Sequence, residues 1–226
     1  AYEIRLSLVG SEMCIRDSVE AHIDEIELMA DTYSDRKYGQ SELHFAVADT
    51  TGRMVAIEPT IMPMRVVDDP LGILTNVPNF EKQIDRMSAY MEFTPAFLAG
   101  QVPLNTAKVT TGNVSGKSIP PGSYSPSSRF IRAAYFKERA NQPVNEADAI
   151  ISSWHLLDGV AVPRNTDHQQ TYSVYRAASV CESRTYYFEP YNRESIVKLE
   201  LTDDMLSWTE PVFYDVADEL QVNSVR

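Results

Sequence analysis

The sequence predicts an α+β fold in which helices pack on antiparallel sheet. Several segments have the apolar spacing of amphipathic helices, and between them lie short segments in which apolar and polar residues alternate, as in half-buried strands. Successive strand-like segments are separated by short turns. This favours antiparallel hairpins, because a parallel connection needs a dozen or more residues. A hydrophobic content of 43% is normal for a globular chain.

The first predicted elements are a helix and a hairpin. Residues 19–32 place four apolar side chains at helical spacing and acidic side chains opposite them: Ile23, Ile26, Met29 and Ala30. Residues 43–58 alternate between apolar and polar on both sides of the turn sequence DTTG at 49–52. This pattern predicts a β-hairpin.

Two more strands and a second helix are predicted next. The sequence MRVV at 64–67 indicates a strand, the sequence DDP at 68–70 indicates a turn, and residues 71–75 indicate a short apolar strand. Asn79 can cap a helix, since its side-chain oxygen can accept from the first-turn amides. The inner face of that helix carries Phe80, Ile84 and Met87.

The remaining chain contains one irregular segment, two helices and three strands. Residues 93–125 are rich in Pro, Gly, Ser and Thr, and we expect an extended surface excursion of a kind that is usually functional or used in assembly. Ser125 or Ser127 can cap a helix that buries Phe130, Ile131, Ala134 and Tyr135. Residues 146–157 predict another helix, and TYSVYRAAS, RTYYFEPY and SIVKLEL predict strands.

Charge and composition exclude several classes of function. The net charge is −12 without a basic cluster, which argues against binding to nucleic acid or to anionic membranes. No apolar run approaches the roughly 18 residues that a membrane span requires. The histidines show no metal-ligand spacing with cysteine or carboxylates, so no metal is expected; they are His22, His44, His155 and His168. No signal peptide is visible, and the cellular compartment stays open.

Residues 1–18 are interpreted as a translated sequencing adapter. The constant part of a transposase-type adapter, read in this frame, encodes SLVGSEMCIRDS, which is the sequence of residues 7–18. The preceding AYEI matches the outer end of the same adapter, and a variable index accounts for the residues between them. Such segments are excluded from fold reasoning. We therefore expect residues 1–18 to make no consistent packing, residues 19–226 to be the C-terminal part of a domain, and the native N-terminus to be missing.

Two polar residues are candidates for a catalytic site. Asn76 follows a short apolar segment and precedes a proline by two residues, so its carboxamide either directs N–H donors at an oxyanion or closes its own turn. Arg129 lies in the first turn of a predicted helix, where a cation opposes the helix dipole. It either holds a thiolate or a substrate carboxylate, or it is a solvated surface arginine. Arg132 is interpreted as an ordinary helical arginine.

Five motifs, taken in order, resemble the choloylglycine hydrolase family, which includes bile salt hydrolases and penicillin V acylases. They are LHFAVADTTGRMVAIE, GILTNVPNF, PPGSYSPSSRFIRAAYF, SSWHLLDGVAVPRN and TYYFEPYNRESI. The resemblance implies the N-terminal nucleophile hydrolase fold, an αββα sandwich. It also implies an enzyme in which an N-terminal cysteine thiolate attacks a linear amide, the free α-amine acts as base, and a thioester is hydrolysed.

The same resemblance assigns roles to the two candidates. Asn76 falls on the family's oxyanion-binding asparagine, and Arg129 falls on its arginine near the cysteine sulfur, so the two side chains are expected to approach each other. No metal or organic cofactor is implied. The implied partners are a small-molecule amide substrate and, through residues 93–125, neighbouring subunits of a homo-oligomer; nucleic acid and membrane are not expected partners.

The chain departs from the family pattern at the nucleophile. The N-terminal part that carries the family's cysteine is not recognisable here, Cys14 lies within the adapter-like segment, and Cys181 is interpreted as a small core or edge residue. We therefore expect the chain alone to be inactive. Two alternatives stay open: an N-acylethanolamine or acyl-homoserine-lactone amidase, and a non-catalytic relative that binds amphipathic acids.

Overall fold

The structure is a computed structural model that describes residues 19–25, 45–48, 53–58, 64–91, 118, 120–165, 167, 171–222 and 224. The chain divides into two compact units, Ala1–Glu138 and Arg139–Arg226. Helices and antiparallel sheet both occur in the described residues, so the predicted α+β class is confirmed.

The sheet of the first unit contains three antiparallel strands in the order β1 (Phe45–Ala48), β2 (Met54–Glu58) and β3 (Arg65–Asp68). Phe45 pairs with Ile57 and Ala48 with Met54, which confirms the predicted hairpin. Its turn, residues 49–52, lies outside the described residues. The central strand β2 is the most buried of the three.

The strand predicted at residues 71–75 is wrong. The buried carboxylate of Asp69 accepts hydrogen bonds from three successive backbone amides, those of Leu71, Gly72 and Ile73, at 2.9–3.1 Å. Gly72 adopts φ +60°, a left-handed conformation that breaks a strand and favours glycine. The apolar side chain of Leu71 is buried as expected, but the backbone forms a compact loop.

Two helices enclose the core of the first unit. Helix α1 (Phe80–Met87) begins at Asn79, whose side chain accepts from the amide of Lys82 as predicted. Helix α2 (Pro126–Arg139) begins after Ser125, whose hydroxyl accepts from the amide of Ser128 at 3.4 Å, so Ser125 rather than Ser127 is the cap. The predicted inner faces meet in one core cluster: Leu71, Phe80, Met87, Met91, Phe130, Ile131 and Ala134, with Ile84 and Tyr135 packed against it.

Two sequence predictions fall mostly outside the described residues. Of the predicted first helix, residues 19–25 are described and end in a 3₁₀ turn, Ile23–Glu25, whereas residues 26–32 are not described. Of the irregular segment 93–125, only residue 118 and residues 120–125 are described.

The second unit combines one helix with a three-stranded antiparallel sheet. Helix α3 (Glu146–Asp158) is capped by Asn145. The strands β4 (Tyr175–Val180), β5 (Thr185–Pro190) and β6 (Val197–Glu200) pair in that order. Trp154 of α3 donates its indole N–H to the buried Glu189 of β5 at 2.8 Å, which ties the helix to the sheet.

Candidate active site

Asn76 and Arg129 are in direct contact, although 53 positions separate them in the sequence. Nη2 of Arg129 donates to Oδ1 of Asn76 at 2.7 Å. Asn76 lies in the loop before α1, and Arg129 lies in the first turn of α2. The proximity that the sequence predicted is therefore confirmed, and the catalytic roles of the two residues remain predictions.

The contact determines which end of the Asn76 carboxamide is available to a ligand. A guanidinium has only donors, so the amide oxygen must be the atom that faces Arg129. The NH2 group consequently occupies the opposite end of the carboxamide, and Asn76 is exposed. An orientation of this kind directs N–H donors at an incoming oxygen, which is the requirement for stabilising an oxyanion.

Arg129 is held by the loop that precedes its helix, as well as by Asn76. Nε of Arg129 donates to the carbonyl of Tyr124 at 3.1 Å, so two sides of the guanidinium are engaged. Partial burial and, secondarily, the neighbouring Arg132 lower the pKa of Arg129 from its ordinary value. The group keeps its positive charge at neutral pH, because an arginine is not deprotonated in proteins. It can therefore stabilise a thiolate or an anionic substrate group beside Asn76.

Arg132 supports this loop, a role that its sequence did not reveal. Its side chain is buried, and Nη1 donates to the carbonyls of Pro121 and Ser123 at 2.8 and 2.6 Å. These bonds fix the backbone of residues 121–123. The next residue is Tyr124, whose carbonyl accepts from Nε of Arg129. Arg132 is a helical arginine, as interpreted, but it is not an ordinary one, because it is buried and holds the carbonyls of Pro121 and Ser123.

Gln83 supports the other side of the site. It lies on the inner face of α1 and is 2% exposed. Its Nε2 lies within hydrogen-bonding distance of the hydroxyl of Thr75 (3.2 Å) and of the carbonyls of Asn76 and Pro78 (both 3.3 Å). Sequence reasoning missed Gln83. The available signal was a polar residue within a helical stripe of apolar ones, at Phe80, Ile84 and Met87.

The buried carboxyl of Asp69 and the side chain of Lys137, a residue that is exposed overall, anchor the loop that leads to Thr75 and Asn76. Lys137 of α2 donates Nζ to the carbonyl of Leu71 at 2.5 Å and interacts electrostatically with Asp69. Burial raises the pKa of Asp69 to about 6, against the lowering effects of its three amide donors and of Lys137. Partial desolvation of its ammonium, which contacts the loop, lowers the pKa of Lys137, and Asp69 opposes this shift.

The other residues that the sequence analysis considered are the two cysteines and the histidines. Cys181 is a free, exposed thiol in the second unit, and Cys14 lies outside the described residues. Within the described ranges, no group of three or more His, Cys, Asp or Glu side chains could hold a metal ion. No described helix is both long enough and apolar enough to cross a bilayer.

The chain matches the family model described as linear amide C–N hydrolases, choloylglycine hydrolase family, over residues 1–214. It is 26% identical over 192 residues to the bile salt hydrolase/transferase of Clostridium perfringens, an alignment that covers 81% of this chain and 57% of the relative. It is 28% identical over 234 residues to the bile salt hydrolase/transferase of Lactiplantibacillus plantarum, covering 100% of this chain and 70% of the relative.

Solved structures give the same relationship. A conjugated bile acid hydrolase from Clostridium perfringens superposes with a TM-score of 0.62 at 25% identity, covering 83% of this chain and 58% of that one. A penicillin V acylase from Agrobacterium tumefaciens superposes with a TM-score of 0.53 at 19% identity, covering 74% and 49%, and shows the fold alone. The fold class is that of the N-terminal nucleophile hydrolases, as predicted. The chain spans a little over half the length of the Clostridium relative.

Proposed function

Because the chain belongs to the choloylglycine hydrolase family, we propose that it supplies part of the active site of a cysteine-nucleophile hydrolase of linear amides, of the bile salt hydrolase type. The observation that supports this most is the hydrogen bond between Arg129 and Asn76, because it orients a carboxamide with its NH2 group turned away from a permanent cation. The substrates in view are conjugated bile salts, with penicillin V as a second amide of the same class.

In the proposed reaction a cysteine thiolate adds to the amide carbonyl carbon, and the carbonyl oxygen becomes an oxyanion. The NH2 group of Asn76 donates to that oxyanion, and Arg129 stabilises the negative charge that the thiolate and the intermediate carry. Collapse of this tetrahedral intermediate breaks the C–N bond and leaves a thioester. The departing amine takes a proton from the free α-amine of the cysteine, which had accepted it from the thiol. Water then hydrolyses the thioester, so the net products are a carboxylic acid and an amine.

We place the nucleophile outside this chain. Neither cysteine of the chain qualifies, because both are internal and lack the free α-amine that acts as base, and Cys14 also falls in the segment that reads as adapter. We propose that residues 1–18 are not part of the native protein, although the family match begins at residue 1. Sequencing the genomic DNA across codon 18 tests this directly. A natural frame that continues with the same 18 codons would contradict it.

The experiment that tests the function uses the complete protein expressed from the uninterrupted reading frame. Release of amine from a taurine- or glycine-conjugated bile salt and from penicillin V is measured beside the 226-residue chain and a cysteine-to-alanine variant of the N-terminal nucleophile. We expect hydrolysis by the complete protein only. Hydrolysis that survives the cysteine substitution, or that the chain performs alone, would contradict the proposal.

The alternatives predict different outcomes in the same assay. An N-acylethanolamine or acyl-homoserine-lactone amidase would release amine from those amides and not from bile salts. A non-catalytic relative would bind an amphipathic acid, measurable by calorimetry, without releasing any amine.

We also propose that the complete protein is a homo-oligomer whose subunits meet through the segment 93–125. The segment is long and lacks helical or strand periodicity, which is uncommon inside a compact domain. Residues 98–114 are replaced with a short Gly-Ser linker, which spares the described residues 120–125 that hold Arg129. The mass measured by light scattering should then fall toward that of a monomer. An unchanged mass would contradict the proposal.

A further inference from the structure

Gln83 combines deep burial with donor contacts to the loop that carries Asn76. The residue is 2% exposed and belongs to the helix face that packs in the core cluster. Its NH2 group lies within 3.2–3.3 Å of three acceptors on residues 75, 76 and 78, all in the short loop before α1. An amide NH2 carries only two hydrogens, so these three contacts share the available donors.

The oxygen end of the same carboxamide has no hydrogen-bond partner among the described residues. Oε1 of Gln83 is buried and accepts no hydrogen bond within the part of the chain that the structure describes. The two carbonyls at Nε2 fix the orientation of the amide, since reversing it would place its oxygen against the carbonyl oxygens of Asn76 and Pro78. A buried carbonyl without a partner is unfavourable, and an apolar residue of similar size would avoid it. Gln83 is thus better explained by what its NH2 holds than by core stability.

The loop is held at Asn76 from two directions. Arg129 binds the side-chain oxygen of Asn76, and Gln83 binds its main-chain oxygen. The first contact sets the rotation of the carboxamide, and the second sets the position of the backbone that carries it. Either contact alone would leave the NH2 group free to shift, and small displacements of a catalytic donor are costly to rate.

We propose that Gln83 is a positioning residue that places the NH2 group of Asn76 for oxyanion stabilisation through the backbone of residues 75–78. The proposal rests on the proposed amide hydrolysis. Gln83 touches no reacting atom in this account and acts only through Asn76.

The test compares Gln83→Met and Gln83→Glu with the core control Met87→Ala in the complete protein. Methionine keeps the volume and removes the donors, whereas glutamate places oxygen against the loop carbonyls. Both Gln83 variants should lower kcat by about 10- to 100-fold while KM changes by less than about threefold. The melting temperature of Gln83→Met should stay close to that of the wild type. Met87, which is fully buried one turn further along α1 and makes none of the three contacts of Gln83, should show the reverse when truncated: a lower melting temperature and an unchanged kcat below it.

The outcome separates positioning from packing. If Gln83→Met keeps the wild-type kcat, or loses activity only in proportion to a fall in melting temperature, Gln83 is a structural residue and the proposal is wrong. Hydrogen exchange of the backbone amides of residues 75–77 gives a readout that does not depend on catalysis. Exchange should accelerate in Gln83→Met and not in Met87→Ala.

The same measurements distinguish this proposal from the proposed function. A complete wild-type protein that hydrolyses no amide contradicts the function, and the exchange experiment then shows whether Gln83 orders the loop at all. Unchanged exchange in Gln83→Met would overturn the proposal whatever the activity.

Discussion

Arg129 contributes to the site through the geometry of its guanidinium as well as through its charge. Nε and Nη2 lie on one rigid plane and reach two different acceptors, the carbonyl of Tyr124 and Oδ1 of Asn76. A lysine ammonium is a point charge on a flexible stem and cannot hold both acceptors in one fixed geometry. The position of Asn76 therefore depends on an arginine at residue 129.

Substitution of Arg129 should reduce activity in a defined order. Arg129→Lys retains the charge but only a single donor nitrogen, and we expect an intermediate loss of kcat in the complete protein. Arg129→Met removes both, and we expect a loss of about 100-fold, typical of a displaced catalytic group. Arg65→Lys, in an exposed ion pair with Glu81, is the matched control and should leave kcat unchanged. Equal activity of the lysine and methionine variants would show that the fork geometry has no role.

Asp69 is the described residue whose ionisation is most strongly altered by burial. Its ordinary pKa of 3.8 is raised to about 6, so folding favours the protonated carboxyl. A raised pKa stabilises the folded state fully below about pH 3.8, and this contribution is lost as the pH rises through about 6. A shift of about two pKa units corresponds to a contribution of about 3 kcal/mol to the free energy of unfolding.

The pH dependence of stability should therefore differ between the wild type and Asp69→Asn. We expect the free energy of unfolding of the wild type, relative to the variant, to fall between pH 4 and pH 7, because only the wild type must ionise a buried group. Urea denaturation of the complete protein at several pH values measures this difference. A difference that is constant with pH, or that rises with it, would contradict the assigned direction.

At the scale of elements, caps and apolar stripes were predictable and the loop at residues 69–73 was not. Asn79 and the face that carries Phe80 and Met87 follow from local rules, because a cap and a helical repeat involve residues within four positions. The loop has the apolar composition of a strand. Its conformation depends on the burial of Asp69 and on Lys137, more than 60 positions later, which sequence periodicity does not report.

The candidate site shows the same limit. Asn76 and Arg129 were identified as chemically capable residues, and the family resemblance predicted their proximity. Gln83 and Arg132 were not identified as parts of the site, since their role depends on hydrogen bonds to loop carbonyls that only the folded chain brings within reach. Residues that act through side-chain chemistry leave a signal in the sequence, whereas residues that hold a backbone in place leave only an unexpected polar group in an apolar stripe.

The stability of the loop at residues 69–73 should be sensitive to substitution of Gly72. Its φ of +60° disfavours any residue with a Cβ, and a Cβ there would lie 2.7 Å from Nζ of Lys137. We expect Gly72→Ala to lower the free energy of unfolding by at least about 1–2 kcal/mol, the usual cost of the left-handed conformation. Gly122→Ala is the matched control, because a Cβ at Gly122 meets no atom within 4 Å. A change within about 0.5 kcal/mol at both positions would contradict the strain at Gly72.

At the scale of the molecule, the described residues include unpaired strand edges and exposed apolar side chains. Among the described strands, β1, β3, β4 and β6 each pair on one side only. Large apolar side chains lie exposed in the second unit, including Val144 at 86% and Phe213 at 85%. Unpaired strand edges and exposed apolar surface are templates for association.

We therefore expect the 226-residue chain, expressed alone, to be insoluble or to bind a hydrophobic dye. We proposed above that the part of the domain with the nucleophile lies outside this chain. Net domain stability is only about 5–15 kcal/mol, so the free-energy cost of lacking that part's strands can exceed the whole of it. The complete protein is the control and should melt cooperatively without binding the dye. A soluble monomer of the chain alone, with a sharp cooperative melt, would show that it needs no further strands.

The substitution Asn76→Asp in the complete protein tests the central claim most directly. Aspartate has nearly the same shape and keeps an oxygen for Arg129, but its carboxylate has no N–H donor for an oxyanion. The kinetic constants for hydrolysis of a conjugated bile salt and the melting temperature are measured together. We predict that kcat falls by about 100- to 1000-fold while the melting temperature does not decrease. A variant that retains wild-type kcat would contradict the assignment of Asn76 as the oxyanion donor.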